Sequence, residues 1–285
     1  MFNPCYLCGN ISFSIVEGKV RDLPSLKILK CENCGLITLS SFDHIDDNFY
    51  KDSKMRKDEI EKSWELVLAE CSEDDNRRFK YLQSFLMNKN VLDFGCGGGG
   101  FLLKIYPFVK SCIGVEMDSI FKEVLCNKGL KICSNIDECD NKFDVITLFH
   151  VIEHLKDPIA HLQQIASHLS NNGTIYLETP NSNDALLSFY KNKAFSEFTY
   201  WSCHLFLYDN RSIELLVRKS GLKINYIKQI QRFPLSNHLY WLSKGLPGGH
   251  KIWNFLDSDI ISSHYGKMLE NSQMADTLFV SISVS

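Results

Sequence analysis

Three ionisable side chains crowd one short stretch of this sequence, Phe149-His150-Val151-Ile152-Glu153-His154-Leu155. Two imidazoles and a carboxylate at this spacing can move a proton near neutral pH. They can also hold a divalent metal that acidifies a hydroxyl. His204 stands further along and could join either arrangement. The structural alternative is that Glu153 and His154 only cap and orient a strand-to-helix turn. A second group, Asp93-Phe94-Gly95-Cys96-Gly97-Gly98-Gly99-Gly100, sets an acid before a run of glycines. Glycines let a ligand approach the backbone, and the following helix offers unpaired N–H groups to an anion. A third group pairs Cys5-x-x-Cys8 with Cys31-x-x-Cys34, each knuckle followed by glycine (Gly9, Gly35). Four thiolates so spaced bind one Zn²⁺ tetrahedrally and leave no open position, so this ion would stabilise a lobe and perform no chemistry. A redox role suits the cysteines less well, because two pairs are present and neither opens a helix after a strand.

These residues need elements to hold them. Val91, Leu92 and Phe94 read as the end of a buried parallel strand, and Phe101 to Tyr106 as the helix after the glycine turn. Cys112 to Glu116 is a second strand, followed by a helix over 119–128 that stops at Gly129. Leu130 to Cys133 and Phe143 to Leu148 continue the alternation, which predicts a doubly wound α/β sheet. Asp157-Pro158 opens a helix reaching His168, with His161 and His168 read as surface or helix-end residues; Asn172-Gly173 is expected to turn into a strand over 174–179. The strands over 222–230 and 277–284 lack an ordinary crossover helix between them, so antiparallel pairing is expected, with 233–275 as a long excursion. Aromatics among Asn, His and Gly there suit a lid over a polar organic molecule, although Trp241 and Trp253 equally suit simple packing. The expected organisation is a zinc lobe over 1–42, a helical linker over 43–74 and the α/β domain over 75–285. The mixed charges of Lys51 to Lys62 read as a solvated face.

Composition narrows the field. At 285 residues and 45% apolar, the chain holds one large domain and a small appendage. A net charge of -3 gives no general attraction to nucleic acid. No signal peptide and no membrane-spanning run is visible, and most of the eleven cysteines are scattered singly. A reduced, cytoplasmic protein is the expectation.

Gly95, Gly97 and Gly100 satisfy the dinucleotide pattern G-x-G-x-x-G, while Asp93, Gly95, Gly97 and Gly99 satisfy D-x-G-x-G-x-G. Residues downstream arbitrate. Asp93 to Gly99, Glu116, Phe143-Asp144, the stretch 149–155, His204 and Gly221-Leu222 together resemble the class I S-adenosylmethionine methyltransferases over roughly 75–230. The branch resembled includes ubiquinone-biosynthesis O-methyltransferases and sugar methyltransferases. The resemblance implies a Rossmann-like seven-stranded sheet. It places Asp93, Gly95, Cys96 and Gly97 around the methionine part of S-adenosylmethionine. Glu116 would hold the ribose diol, Met117 would pack on adenine, and Asn135 and Ile136 would contact the adenine edge. Phe149 and His150 would line the methionine end.

His154 or His204 then serves as a general base, or His150, Glu153, His154 and His204 hold a divalent metal. Several deoxysugar C-methyltransferases carry a similar four-cysteine lobe plus a further C-terminal domain that this length does not accommodate, so oxygen is the expected methyl acceptor. The expected substrate is a small polar acceptor, a nucleotide-linked sugar or a capsule or surface-polysaccharide precursor. Competing readings are an RNA methyltransferase with a zinc lobe and a non-catalytic docking protein that binds S-adenosylmethionine.

Overall fold

A computed structural model describes residues 3–46, 49 and 63–284. The lobe begins with three short strands, β1 (Phe13–Ile15), β2 (Ile28–Cys31) and β3 (Ile37–Leu39). The charged run 51–62 of the expected linker lies outside the described residues. Helix α1 (Trp64–Leu86) follows, capped by the Ser63 side chain on the Leu66 N–H. It continues unbroken through position 74, where the linker was expected to end. Its Val67, Leu82 and Leu86 are buried at helical spacing.

The α/β alternation then unfolds as the sequence indicates. It runs β4 (Asn90–Phe94), α2 (Gly100–Ile105), β5 (Ser111–Val115), α3 (Ser119–Asn127), β6 (Lys131–Cys133), β7 (Phe143–Phe149) and α4 (Pro158–Ser167). Strand β8 (Leu169–Pro180) starts earlier than expected. Asn172-Gly173 is not a turn before it: the chain stays extended there. The register with β7 jumps from Phe143↔Leu169 to Val145↔Thr174 instead. Gly173 is needed at this irregularity, since a Cβ would lie 2.9 Å from the Phe143 carbonyl oxygen.

After β8 come α5 (Ala185–Ser188), α6 (Lys193–Thr199), β9 (Phe206–Leu207), α7 (Asn210–Lys219) and β10 (Leu222–Ile230). The excursion is helical, α8 (Leu235–Lys244), α9 (Gly249–Ile252) and α10 (Asp259–Asn271), before β11 (Thr277–Val284). The main sheet has the order β10-β11-β8-β7-β4-β5-β6. β11 is antiparallel to both neighbours and all other pairs are parallel. The direction of winding reverses between β4 and β7, so a crevice opens past their carboxyl ends, where such folds bind ligands.

The lobe is not a free appendage. Its sheet is completed by β9, in the order β1-β2-β3-β9, with Ile37 opposite Leu207 and Thr38 opposite Phe206. Leu7, Ile28 and Leu36 belong to the same continuous core as Ile146, Leu148 and Leu177 of the main sheet. No helix among the described residues is long and apolar enough to cross a membrane.

Candidate active site

The crevice at the reversal point is built from the glycine turn. Asp93 ends the buried part of β4, and Gly95, Gly97 and Gly99 all adopt positive φ. A Cβ on Gly95 would lie 2.5 Å from Val151, so the turn and the 149–155 stretch approach as only glycine allows. Gly97 donates its N–H to Glu116 Oε2 at 2.7 Å, and Asp118 donates to Oε1 at 2.9 Å. The Trp64 indole bonds the Gly98 carbonyl at 2.9 Å, so α1 closes over the loop. Asp93 is buried, and burial pushes its carboxyl up to about 7 although Thr147 donates to it at 2.7 Å. Burial and the Asp93 charge push the Cys96 thiol well above its ordinary range. Phe149 meets Phe101 edge-on at 5.0 Å.

Glu116 and Met117 follow β5, and Asn135 and Ile136 follow β6, so all four stand at the same sheet edge. Met117 is exposed and Ile136 is buried. Asn135 Oδ1 accepts from the Glu138 N–H at 3.2 Å, capping a short helical turn. An anchored carboxylate on Glu116, a buried carboxyl on Asp93 and a glycine turn form a donor and acceptor set that fits S-adenosylmethionine.

The structure divides the ionisable cluster. His150, at φ 55, is in the left-handed region just past β7. Its Nδ1 lies 3.3 Å from Glu153 and its Nε2 3.3 Å from Glu178. Arg232 also approaches Nε2, at 2.8 Å; burial works against the charged ring, but Glu153 and Glu178 hold the His150 pKa above its ordinary value. Glu153 is fully buried and accepts from Thr179 at 3.0 Å. Burial alone would raise its carboxyl, but His150 and His154 beside it hold it down, at about 2.

His154 and His204 instead face each other, with ring centroids 5.0 Å apart. His154 Nδ1 is 2.9 Å from the Cys203 carbonyl, and His204 Nδ1 is 3.2 Å from the Thr199 carbonyl. Those contacts orient both rings. Burial and the His154 charge push His204 down to about 3, so its ring is neutral. Ligand atoms of His154, Cys203 and His204 lie within 4.8 Å of one another, a soft set that could hold a transition-metal ion. Cys203 enters this group in place of His150, which is committed to Glu153, Glu178 and Arg232.

A charge network behind the site had no local signal. Arg77 and Arg78 of α1 both bond Glu178 Oε1 at 2.8 Å, and Arg232 reaches Asp74 at 3.2 Å. Arg78 also lies 4.5 Å from the Phe149 ring centre. Helix-period apolar residues identify α1 as a packing helix, but its paired Asp74-Asp75 and Arg77-Arg78 only acquire meaning once Glu178 is brought beneath them.

A cavity of about 600 Å³ joins the glycine turn and His154 to walls from α6, the 200–204 loop and the excursion, including Trp201, Trp241 and His250. The excursion thus lies where a lid would. Trp241 is buried against Phe195 and Phe198, and Trp253 meets Tyr240, so these tryptophans also pack the excursion down.

In the lobe, Cys5 and Cys34 sulfurs are 3.5 Å apart, as are those of Cys8 and Cys31, and all four lie within 4.8 Å. Tetrahedral zinc with bonds of about 2.3 Å requires sulfurs roughly 3.8 Å apart. Both knuckles turn alike: Gly9 donates to the Cys5 carbonyl and Gly35 to that of Cys31, each glycine at positive φ. The four cysteines fit a structural zinc.

A family model described as a methyltransferase domain matches residues 62–227. The chain belongs to this methyltransferase family. A ubiquinone biosynthesis O-methyltransferase of Haemophilus ducreyi is 31% identical over 122 residues, 36% of this chain and 52% of that protein. A tRNA U34 carboxymethyltransferase of Campylobacter lari is 31% identical over 111 residues, 35% of this chain and 38% of that protein. The methyltransferase spans about half the length, or less, of these curated relatives. A SAM-dependent methyltransferase structure from Thermotoga maritima shares the fold, with a TM-score of 0.51 and 17% identity over 82% of this chain and 98% of that one. The family match, with the glycine turn, Asp93 and Glu116 inside it, makes S-adenosylmethionine this methyltransferase's cofactor. The zinc lobe and the excursion both lie outside the matched segment.

Proposed function

We propose that this methyltransferase methylates a hydroxyl oxygen of a small polar acceptor, a nucleotide-linked sugar or a surface-polysaccharide precursor. One observation carries the reading. The cavity of about 600 Å³ runs from the glycine turn to aromatic and polar walls, supplied by α6 and the 200–204 loop within the family match and by Arg21 and the excursion outside it. Its size suits a small organic molecule. The O-methyltransferases among the relatives support oxygen as the acceptor atom.

S-adenosylmethionine supplies an activated methyl group, and the protein's task is to align the acceptor and manage its proton. In this reading Asp93, Gly95, Cys96, Gly97, Phe149 and His150 surround the methionine portion. Glu116, Met117, Asn135 and Ile136 receive the ribose and adenine. His154 takes the acceptor's proton, and neutral His204 orients the acceptor beside it. Glu153, ionised and buried, steadies the charge that forms on His154. A second reading is favoured by the His154, Cys203 and His204 cluster: these residues would hold a divalent metal, which would lower the acceptor's pKa. Free thiols throughout the described chain suit a reducing cytoplasm.

The test uses S-adenosylmethionine with a labelled methyl group and a cell extract separated into small metabolites and RNA. Label in a nucleotide-sugar fraction supports the reading. Label in RNA overturns it, and failure to bind S-adenosylmethionine favours a docking protein.

A further inference from the structure

Three arginines line the cavity: Arg21, Arg78 and Arg232. Two are neutralised. Arg78 bonds Glu178 at 2.8 Å, and Arg232 pairs with Asp74 at 3.2 Å. Arg21 differs in origin and in surroundings. It comes from the zinc lobe, and among the described residues its guanidinium has no carboxylate or hydrogen-bond partner. The neighbouring acid does not serve it, because both Asp22 oxygens accept from Ser202, at 2.9 and 2.6 Å.

Arg21 is nevertheless held in place. Its backbone N–H bonds the Tyr200 carbonyl at 2.9 Å. Its guanidinium lies 4.2 Å from the Trp201 ring centre and 5.2 Å from that of Phe198. Stacking on aromatic faces fixes the plane of the fork and leaves its N–H edges available for a planar or tetrahedral anion. The Trp201 ring then meets His204 at 5.7 Å, and His204 meets His154 at 5.0 Å. A cation is thus positioned two rings away from the candidate base, in the same cavity.

We infer that Arg21 is an anion-binding residue of the acceptor site, and that the acceptor carries a phosphate or carboxylate remote from the atom methylated. This deepens the acceptor reading above and rests on it. It also gives the zinc lobe a purpose: the metal holds a scaffold that delivers one specificity-determining side chain into a pocket built by another part of the chain. Where an interaction remote from the reacting atoms acts equally on ground and transition states, its loss raises KM and leaves kcat unchanged.

The test is calorimetric titration of the full chain, saturated with S-adenosylhomocysteine, using pyrophosphate and, separately, malonate. Pyrophosphate is expected to bind, with Arg21→Ala weakening it about tenfold and Arg21→Lys falling between, since an ammonium keeps charge but loses the fork. Tighter binding of pyrophosphate than malonate assigns a phosphate; the reverse assigns a carboxylate. Equal affinity of the wild type and Arg21→Ala for both anions overturns the inference, as does absence of binding to the wild type. S-adenosylhomocysteine affinity is expected to be the same in all three proteins. The readout does not depend on the acceptor's identity. Label appearing in a metabolite other than a nucleotide sugar would therefore sink that substrate reading while a tenfold pyrophosphate loss still supported Arg21.

Discussion

Asp93 and Thr147 are register partners on adjacent parallel strands, and the Thr147 hydroxyl donates to the Asp93 carboxylate at 2.7 Å. The bond does not offset burial, which together with Asp75 and Glu116 pushes Asp93 up to about 7. An acid raised above its unfolded value of about 3.9 stabilises the fold when protonated. That contribution is complete below about pH 4 and is lost as pH rises through about 7. Thermal unfolding of the unliganded protein should therefore show the wild type losing stability relative to Asp93→Asn between about pH 4 and about pH 7, with little further loss above that. A cation such as the S-adenosylmethionine ammonium beside Asp93 favours its ionised form, so affinity should rise with pH over the same range. Parallel pH profiles for the two proteins would remove Asp93 from both roles.

Glu178 is fully buried beneath Arg77 and Arg78. Glu178→Gln leaves Arg78 buried with less compensating charge, and loss of one partner of such a pair costs about 3–5 kcal/mol. Chemical denaturation should show a destabilisation of that order. A change below about 1 kcal/mol would mean that water or Asp75 compensates.

His204 is neutral across the range in which enzymes are assayed, having been pushed down to about 3. His154→Ala is expected to leave S-adenosylmethionine affinity intact and reduce kcat by about a hundredfold or more. His204→Gln should lower kcat without moving the acid limb of the pH profile. Retention of full turnover by His154→Ala would show that the base lies elsewhere. Complete loss of wild-type turnover with a chelator, restored by one divalent ion, would favour the metal reading.

Zinc removal should act at a distance. The lobe carries Arg21 and shares β3–β9 pairing with the segment just after His204. Stripping the lobe's metal is expected to release zinc in a one-to-one ratio, change Trp201 emission and weaken acceptor binding. S-adenosylmethionine binding, which uses β4, β5 and β6, should survive. Equal loss of both binding functions would indicate global unfolding.

The parts legible in the sequence were those with a local signal. Apolar runs and glycine turns gave the strand order of events from Val91 to Leu148, and the missing crossover before Thr277 gave the antiparallel end of the sheet. Two knuckles gave the cysteine cluster. What sequence reading missed was long-range partnership. Phe206 and Leu207 form a two-residue strand too short for any periodicity, and its partner β3 is far away in the chain. Arg21, Arg78 and Glu178 look like ordinary surface charges until the fold brings Arg21 and Arg78 to one cavity and sets Glu178 beneath Arg78. Asn172-Gly173 carried a turn signal, but the chain stays extended there and the irregularity is taken up in the register jump from Phe143↔Leu169 to Val145↔Thr174.

The two-residue strand β9 has a consequence for how the protein is made. Translation delivers all four cysteines early, yet the last strand of their sheet is synthesised only after most of the central sheet. Until then Ile37 and Thr38 present an unfinished edge, although all four cysteines have already been synthesised. The lobe is better viewed as a clasp shut late in biogenesis than as a module that could be moved to another protein.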